Sequence, residues 1–391
     1  MATTTTTAAQ NWRIELIDCI DAVRAADWNA LAGTDYPFAR HEFLHALEAS
    51  GAVSRRRGWQ PRHALVWQDD VLAAALPLYE TSHSYGEYVF DWSWAEAYHR
   101  HGLDYYPKWV AAIPFTPATG PRLCVAPGQD RRRIAALLLP ELQRRAHQRG
   151  ISSVHVLFPD EDELGDLAVP GFLHRTGLQY HWFNRGHDSF DDFLAACSAR
   201  RRKNLRRERR RVTEQGLKVE MVAGEAIDEL LWQRFYRFYQ LTYARRSGHG
   251  GYLDLDFFLR VGRSLPDHTL MAVAHHGSDL VAAALYFQGG DTLYGRYWGC
   301  EQDFDALHFE ACYYQGIDHC IRHGLARFDA GAQGEHKIQR GFEPVYTHSR
   351  HWLDHPGFQQ AVGEFLQREA ASVASWKEEA RQLLPWRRSE R

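Results

Sequence analysis

The chain has few cysteines, and none forms a CxxC pair. Cys19, Cys124, Cys197, Cys300, Cys312 and Cys320 are scattered over 391 residues. That spacing gives neither a zinc ribbon nor a disulfide frame and predicts reduced thiols. No run of about 18 apolar residues occurs, so no membrane span is expected. No GxGxxG follows an apolar strand, and GxxxxGK[ST] and GxSxG are both missing. Dinucleotide, P-loop and nucleophile-elbow chemistry are therefore disfavoured. A net charge of −3 leaves no global field for a polyanion. The start, Met1-Ala2 and then Thr3 to Thr7, has neither a basic segment nor an apolar core. It is not expected to be a secretory signal; residues 1–11 read as a disordered tail, and the protein is expected in the cytoplasm.

What the chain does contain is one pattern written twice. Residues 70–78 read Asp-Val-Leu-Ala-Ala-Ala-Leu-Pro-Leu, and residues 279–287 read Asp-Leu-Val-Ala-Ala-Ala-Leu-Tyr-Phe. Each follows an apolar run, Ala64 to Trp67 and Leu270 to Ala274. Each precedes a Gly- and Tyr-rich stretch, Tyr85–Trp92 and Leu293–Gly299, that reads as a third strand. The length fits two domains, placed at 12–185 and 186–391. Within the first, helices are expected before residue 48 and over 131–149, and strands at 151–158 and 178–183. Residues 93–122 read as an irregular aromatic loop. The second is expected to open with a helix over 189–215 and strand 217–222. Helices follow at 225–246, 254–264, 306–323 and 357–383, with strands at 268–275, 279–288, 292–299, 326–330 and 345–353. This pattern implies a mixed, largely antiparallel α/β sheet in each half. Duplication also creates a cleft between halves, a favoured place for a small-molecule site.

Three segments carry chemistry. Arg200 to Arg211 holds nine cations against one anion, and Lys203, Arg206, Arg207 and Arg210 share a helix face. Such a face attracts phosphates of a nucleotide or an RNA. Residues 331–342, Gly-Ala-Gln-Gly-Glu-His-Lys-Ile-Gln-Arg-Gly-Phe, follow a strand. There Glu335 or His336 is a candidate general base, and Lys337 or Arg340 a candidate to hold an oxyanion or phosphate. His308 and Glu310 open a helix two positions apart, so at most one faces a given cleft. His348, His351 and His355 have metal-like spacing, but no cysteine or carboxylate completes a set, and no metal is expected.

The motifs Tyr88–Trp92, Tyr105-Tyr106-Pro107-Lys108, Pro114–Pro117 with Gly120, Tyr294–Gly299, Leu307–Gln315 and Gly331–Lys337 resemble the FemAB-like family of N-acyltransferases. The resemblance covers nearly the whole chain beyond the tail. It implies two tandem GNAT-like domains and a kinship with the Fem aminoacyltransferases of peptidoglycan synthesis. It further implies transfer of an acyl or aminoacyl group to a small-molecule or peptide amine. The donor would be aminoacyl-tRNA or acyl-CoA, with no tightly bound cofactor and tRNA as a potential partner. The catalytic candidates are then Glu335, His336, Lys337 and His308. The binding candidates are Arg202, Lys203, Arg206, Asp91, Tyr105, Lys108, Tyr294, Arg296, Tyr297, Glu310, Gln333 and Arg340. One departure stands out. The turn Glu301-Gln302-Asp303-Phe304-Asp305 occupies the place where GNAT enzymes carry a glycine-rich pyrophosphate grip, and its carboxylates would repel a pyrophosphate. The alternative class is a binding module that recognises a phosphate-bearing or cell-wall ligand.

Overall fold

The computed structural model describes residues 11–248, 250–332 and 334–387. Gln333 and all of the expected tail except Asn11 lie outside the described residues. The first repeat runs β1 (Trp12–Ile17), α1 (Ala25–Ala32), α2 (His41–Ala49), β2 (Trp59–Pro61), β3 (His63–Gln68), β4 (Val71–Leu76), β5 (Leu78–Thr81), α3 (Trp92–Arg100) and β6 (Lys108–Ala111). It continues with β7 (Cys124–Val125), α4 (Arg131–Gln148), β8 (Ser153–Leu157), α5 (Glu161–Leu164) and β9 (Leu173–Phe183). After α6 (Phe190–Ala196) and α7 (Ala199–Glu214), the second repeat runs β10 (Leu217–Ala223), α8 (Glu229–Ser247), α9 (Leu255–Ser264), β11 (Thr269–His276), β12 (Asp279–Gly289) and β13 (Thr292–Cys300). It closes with α10 (Leu307–Phe309), α11 (Gln315–His323), β14 (Arg327–Asp329), β15 (Glu343–Leu353) and α12 (Pro356–Gln382).

Strand pairing repeats as the duplicated pattern requires. The hairpins β3–β4 and β11–β12 are antiparallel, and each has a register shift near its turn. The pairs β5–β6 and β12–β13 are antiparallel, while β6–β8 and β13–β14 are parallel. The fold class expected from the sequence, tandem GNAT-like α/β units with mixed sheets, is the one found. The repeats are also interlocked. Strand β9 follows β8 in the chain but pairs with β14, whereas β15 follows β14 and pairs with β8; the two also pair with each other. Each repeat thus lends its last strand to the other. One 11-stranded sheet results, in the order β10-β11-β12-β13-β14-β9-β15-β8-β6-β5-β2.

One residue splits a strand in the first repeat that is continuous in the second. Pro77 stands where the second copy has Tyr286. A proline gives no N–H to the ladder and is poorly tolerated inside a sheet. The strand breaks there: β4 joins a separate four-stranded sheet, β1-β3-β4-β7, and β5 stays in the large sheet. In the second copy β12 is unbroken.

Four expectations need correction. Tyr85–Trp92 is not a strand but a loop entering α3, because Gly86 (φ 88°) and Tyr88 (φ 61°) adopt left-handed backbone that no strand accommodates. The strand equivalent to β13 is β6. Residues 93–122 are accordingly not wholly irregular. The helix expected over 189–215 divides at Cys197, which turns extended and bridges to Trp386. The helix expected over 306–323 is interrupted by a π-helical turn at Glu310–Tyr314, a feature frequent at functional sites. Between the repeats lies an aromatic core in which Phe38 and Phe43 meet Phe257 and Phe287 edge to face. Such pairs stabilise beyond the area they bury.

Candidate active site

A cleft of about 610 Å³ opens between the repeats. The first repeat supplies the loop from Ser84 to Trp92 with Phe115 and Pro117. The second supplies the end of α8, the middle of β12 and β13, the π turn and the turn after β14. Of the residues singled out in the sequence, His308, His336, Arg296 and Tyr297 line it together. Tyr297 donates from its hydroxyl to the Phe115 carbonyl at 3.2 Å, tying the two repeats across the cleft.

The histidines form one group. His308 packs edge-on to Trp298 and Tyr313, with its ring centroid 6.1 Å from that of His336. Burial first, and then the cations Arg246, Arg340 and Lys337, push its pKa down to about 3. It is therefore a neutral imidazole and a weak base. His336 is also lowered, by burial and by Arg340, Lys337 and Arg246. Its Nε2 lies 2.8 Å from the Tyr313 hydroxyl. The turn needs Gly334: at φ 113°, a Cβ there would sit 2.5 Å from the His336 ring.

Beneath the turn, Lys337 is 1% exposed and donates to the Gly331 carbonyl. Burial lowers its pKa to about 8 although Asp329 opposes the shift. Arg296 pairs with buried Asp329 at 2.8 Å. Its Nε is buried with no hydrogen-bond partner, an unusual state for a charged donor. Against burial, Arg296 and then His181 hold the Asp329 carboxyl well below the usual range. Among the described lining residues the cleft has no aspartate or glutamate.

Other candidates lie elsewhere. Tyr294 lines a second cavity, of about 860 Å³. Glu335 is exposed and does not line the cleft. Arg340 is bound to Glu208 at 2.9 Å and lies 3.4 Å over the Phe309 ring. Glu310 is buried and accepts from Arg209 Nε at 3.0 Å and Nη2 at 2.9 Å. The acidic turn is paired too: Glu301 with Arg237, Asp303 with Arg245 and Asp305 with Arg211. His351 meets buried His155, His348 meets His174, and His355 caps α12, so these three serve different partners.

Asp91, Tyr105 and Lys108 form a buried cluster behind the cleft-lining loop. Lys108 Nζ donates to Ser84 Oγ and Glu87 Oε2, both at 2.8 Å, and to Asp91 Oδ2. Tyr105 donates to the same Asp91 oxygen at 2.7 Å. Burial raises Glu87 to about 8, while Lys108 brings Asp91 down to about 2 against burial. At pH 7 the cluster therefore holds one cation and one anion. Glu87 keeps its proton in the fold where the unfolded chain has lost it, so its contribution is full below about pH 4.5 and is lost as pH rises through 8. Wild type should lose this stability between about pH 4.5 and 8, and Glu87→Gln should flatten that loss. A scan of melting temperature against pH checks this; identical slopes would place Glu87 outside the balance.

Arg202, Lys203 and Arg206 lie on α7, away from the cleft lining. Arg206 pairs with exposed Asp191. Arg200, Lys203 and Arg207 are exposed on one helix face, with no ion pair to a described residue. Replacing these three by Ala should weaken binding of bulk tRNA and flatten the slope of log affinity against log salt by about 2. A salt titration that leaves the slope unchanged would make this a solvated face.

Sequence reasoning missed Arg246, Tyr243, Tyr88 and the role of Tyr313. Arg246 follows Arg245 in the last turn of α8, where cations are common for helix-dipole reasons, so nothing marked it as a cleft residue.

A family model described as FemAB-like, peptidoglycan biosynthesis/recognition, matches residues 19–388. No curated protein sequence matches the chain. Among solved structures, FemX aligns with a TM-score of 0.53 at 13% identity, over 86% of this chain and 98% of that one. The C-terminal domain of a putative lysylphosphatidylglycerol synthetase from Agrobacterium fabrum aligns at 0.51 and 12% identity, over 86% and 95%. A tandem GNAT protein from the clavulanic acid biosynthesis pathway aligns at 0.48 and 11%, over 88% and 99%.

Proposed function

The chain belongs to the FemAB-like family of peptidoglycan biosynthesis or recognition, and from that and the cleft we propose that it transfers an activated acyl or aminoacyl group to an amine. One observation carries the reading. The cleft is lined by neutral imidazoles and by the Arg296 guanidinium, and no described carboxylate lines it.

The chemistry follows from that lining. A bound ammonium finds cations and no counter-ion, so the field favours its neutral, nucleophilic form. His336, kept neutral, takes the proton, and Tyr313 fixes its ring. The amine nitrogen then attacks the acyl carbon. Negative charge grows on the acyl oxygen, and the positive charge of the Arg296 guanidinium in the cleft wall stabilises it. Collapse expels the donor's oxygen or sulfur, which takes up the second proton shed by the attacking nitrogen, and leaves an amide. Lys337 holds the turn through Gly331. Cys312 lines the same wall, but burial pushes its thiol up strongly, so this path uses no acyl-enzyme. Donor candidates are aminoacyl-tRNA and acyl-CoA, and the acceptor is a small-molecule or peptide amine. The exposed cations of α7 favour the tRNA donor.

His336→Gln is expected to lower the single-turnover rate about 100-fold with little change in melting temperature, since the side chain reaches solvent. A rate within twofold of wild type would remove His336 from the reaction. A recognition role without chemistry is favoured by the exposed rings at the mouth, Tyr85 (56%), Phe90 (58%) and Trp92 (39%). Tight binding of an amine without turnover by any donor would support it.

A further inference from the structure

We infer that Arg246 recognises a carboxylate on the acceptor, so that the cleft selects an amino acid or a peptide end over a simple amine. This rests on the transfer reading above. Arg246 lines the cleft and makes no hydrogen bond or ion pair with any described residue. Its neighbour Arg245 already serves the carbonyls of Cys300 and Glu301 at the end of the helix. Arg246 is therefore not spent on the helix terminus. It shares the cleft lining with His336, the group assigned to proton transfer, and with His308 and Tyr313, and its charge helps lower both histidines. The other guanidinium lining the cleft, Arg296, is already balanced by Asp329.

The charge count then fixes the ligand's sign. The described lining supplies no anion, so the partner of Arg246 arrives with the substrate. A planar guanidinium fork matches the two oxygens of a carboxylate in a bidentate pair. A doubly charged phosphate would stay under-neutralised by one cation, and the turn Glu301 to Asp305, whose carboxylates already hold Arg237, Arg245 and Arg211, does not line the cleft. The remaining surroundings are aromatic or hydroxylated, with Tyr88, Phe90, Tyr243 and Tyr252 in the same lining. An α-amino acid with an apolar side chain meets all three demands: an amine, an adjacent carboxylate, and a ring or chain to pack.

The test uses two probes that differ only in the carboxylate, L-phenylalanine and phenethylamine, with coenzyme A as the phosphate-bearing control. Binding to the full chain is measured by calorimetry for wild type, Arg246→Gln and Arg246→Lys. Wild type should bind phenylalanine about tenfold or more tighter than phenethylamine. Arg246→Gln should erase that ratio and Arg246→Lys should keep part of it. Arg246 is exposed, so unchanged melting temperatures confirm folded variants. Equal affinity for the two amines in wild type, or a ratio that persists in Arg246→Gln, overturns the inference. Loss of coenzyme A binding with the amine ratio intact overturns it too, by making Arg246 a donor contact. Because binding needs no turnover, a carboxylate preference without transfer would sink the transferase reading alone. Equal transfer to both amines would sink this inference alone.

Discussion

Lys108→Met should destabilise the protein by about 3–5 kcal/mol, the usual cost of removing one partner from a buried charge pair. Lys108 is 0% exposed, and its three protons serve Ser84, Glu87 and Asp91. Without it Asp91 stays buried as an anion with no cation beside it, and Glu87 loses the Lys108 donor. The loop between them carries Tyr85, Gly86, Tyr88 and Phe90 into the cleft, so its anchorage is lost with the stability. Urea unfolding followed by Trp fluorescence reads the change. Adding Glu87→Gln and Asp91→Asn should recover part of it, because neutral amides leave no uncompensated charge. A loss below 1 kcal/mol for the single variant would mean that water already screens the cluster.

The second large effect concerns rate. Arg296→Lys keeps a cation beside Asp329 but replaces the delocalised guanidinium of the cleft wall by a point charge held at that carboxylate. Single-turnover transfer should fall by about 10² to 10³, as when one oxyanion donor is removed. The fold should survive because the Asp329 charge remains paired. Equal rates would assign the oxyanion to another donor, and a collapse in stability would show that the lysine fails to reach Asp329.

The particular residues explain what could be read from the sequence. The duplication was legible because an Asp-led turn before an Ala-Ala-Ala-Leu strand is a local signal, and both copies form hairpins. The exchange of β9 and β15 was not. Each strand has the same pattern whichever neighbour it joins, so pairing between repeats leaves no trace in either segment. The stretch Tyr85–Trp92 looked like a strand because it is rich in aromatic residues and matches the Gly- and Tyr-rich stretch Leu293–Gly299. The left-handed Gly86 and Tyr88 and the inward pull of Lys108 on Glu87 and Asp91 override that pattern. The same blindness made Asp91, Tyr105 and Lys108 resemble ligand contacts: charged residues in an aromatic loop read alike whether they face a cleft or one another. His308 and His336 were singled out separately, one on a helix and one on a turn. Only the approach of the π turn to the turn after β14 brings them together. The basic run at 200–211 was obvious, yet its partition was not. Arg209 and Arg211 are spent on Glu310 and Asp305, while Arg200, Lys203 and Arg207 face solvent.

The most direct test of the transfer reading is to incubate the protein with a mixture of aminoacyl-tRNAs, or with acetyl-CoA, and a panel of amines, and to weigh the products and the protein by mass spectrometry. The account predicts an amide on the amine from one donor class, reduced in Arg296→Lys, with no mass added to the protein. An acyl group on Cys312, or no amide from either donor under conditions where an amine binds the cleft, would contradict it.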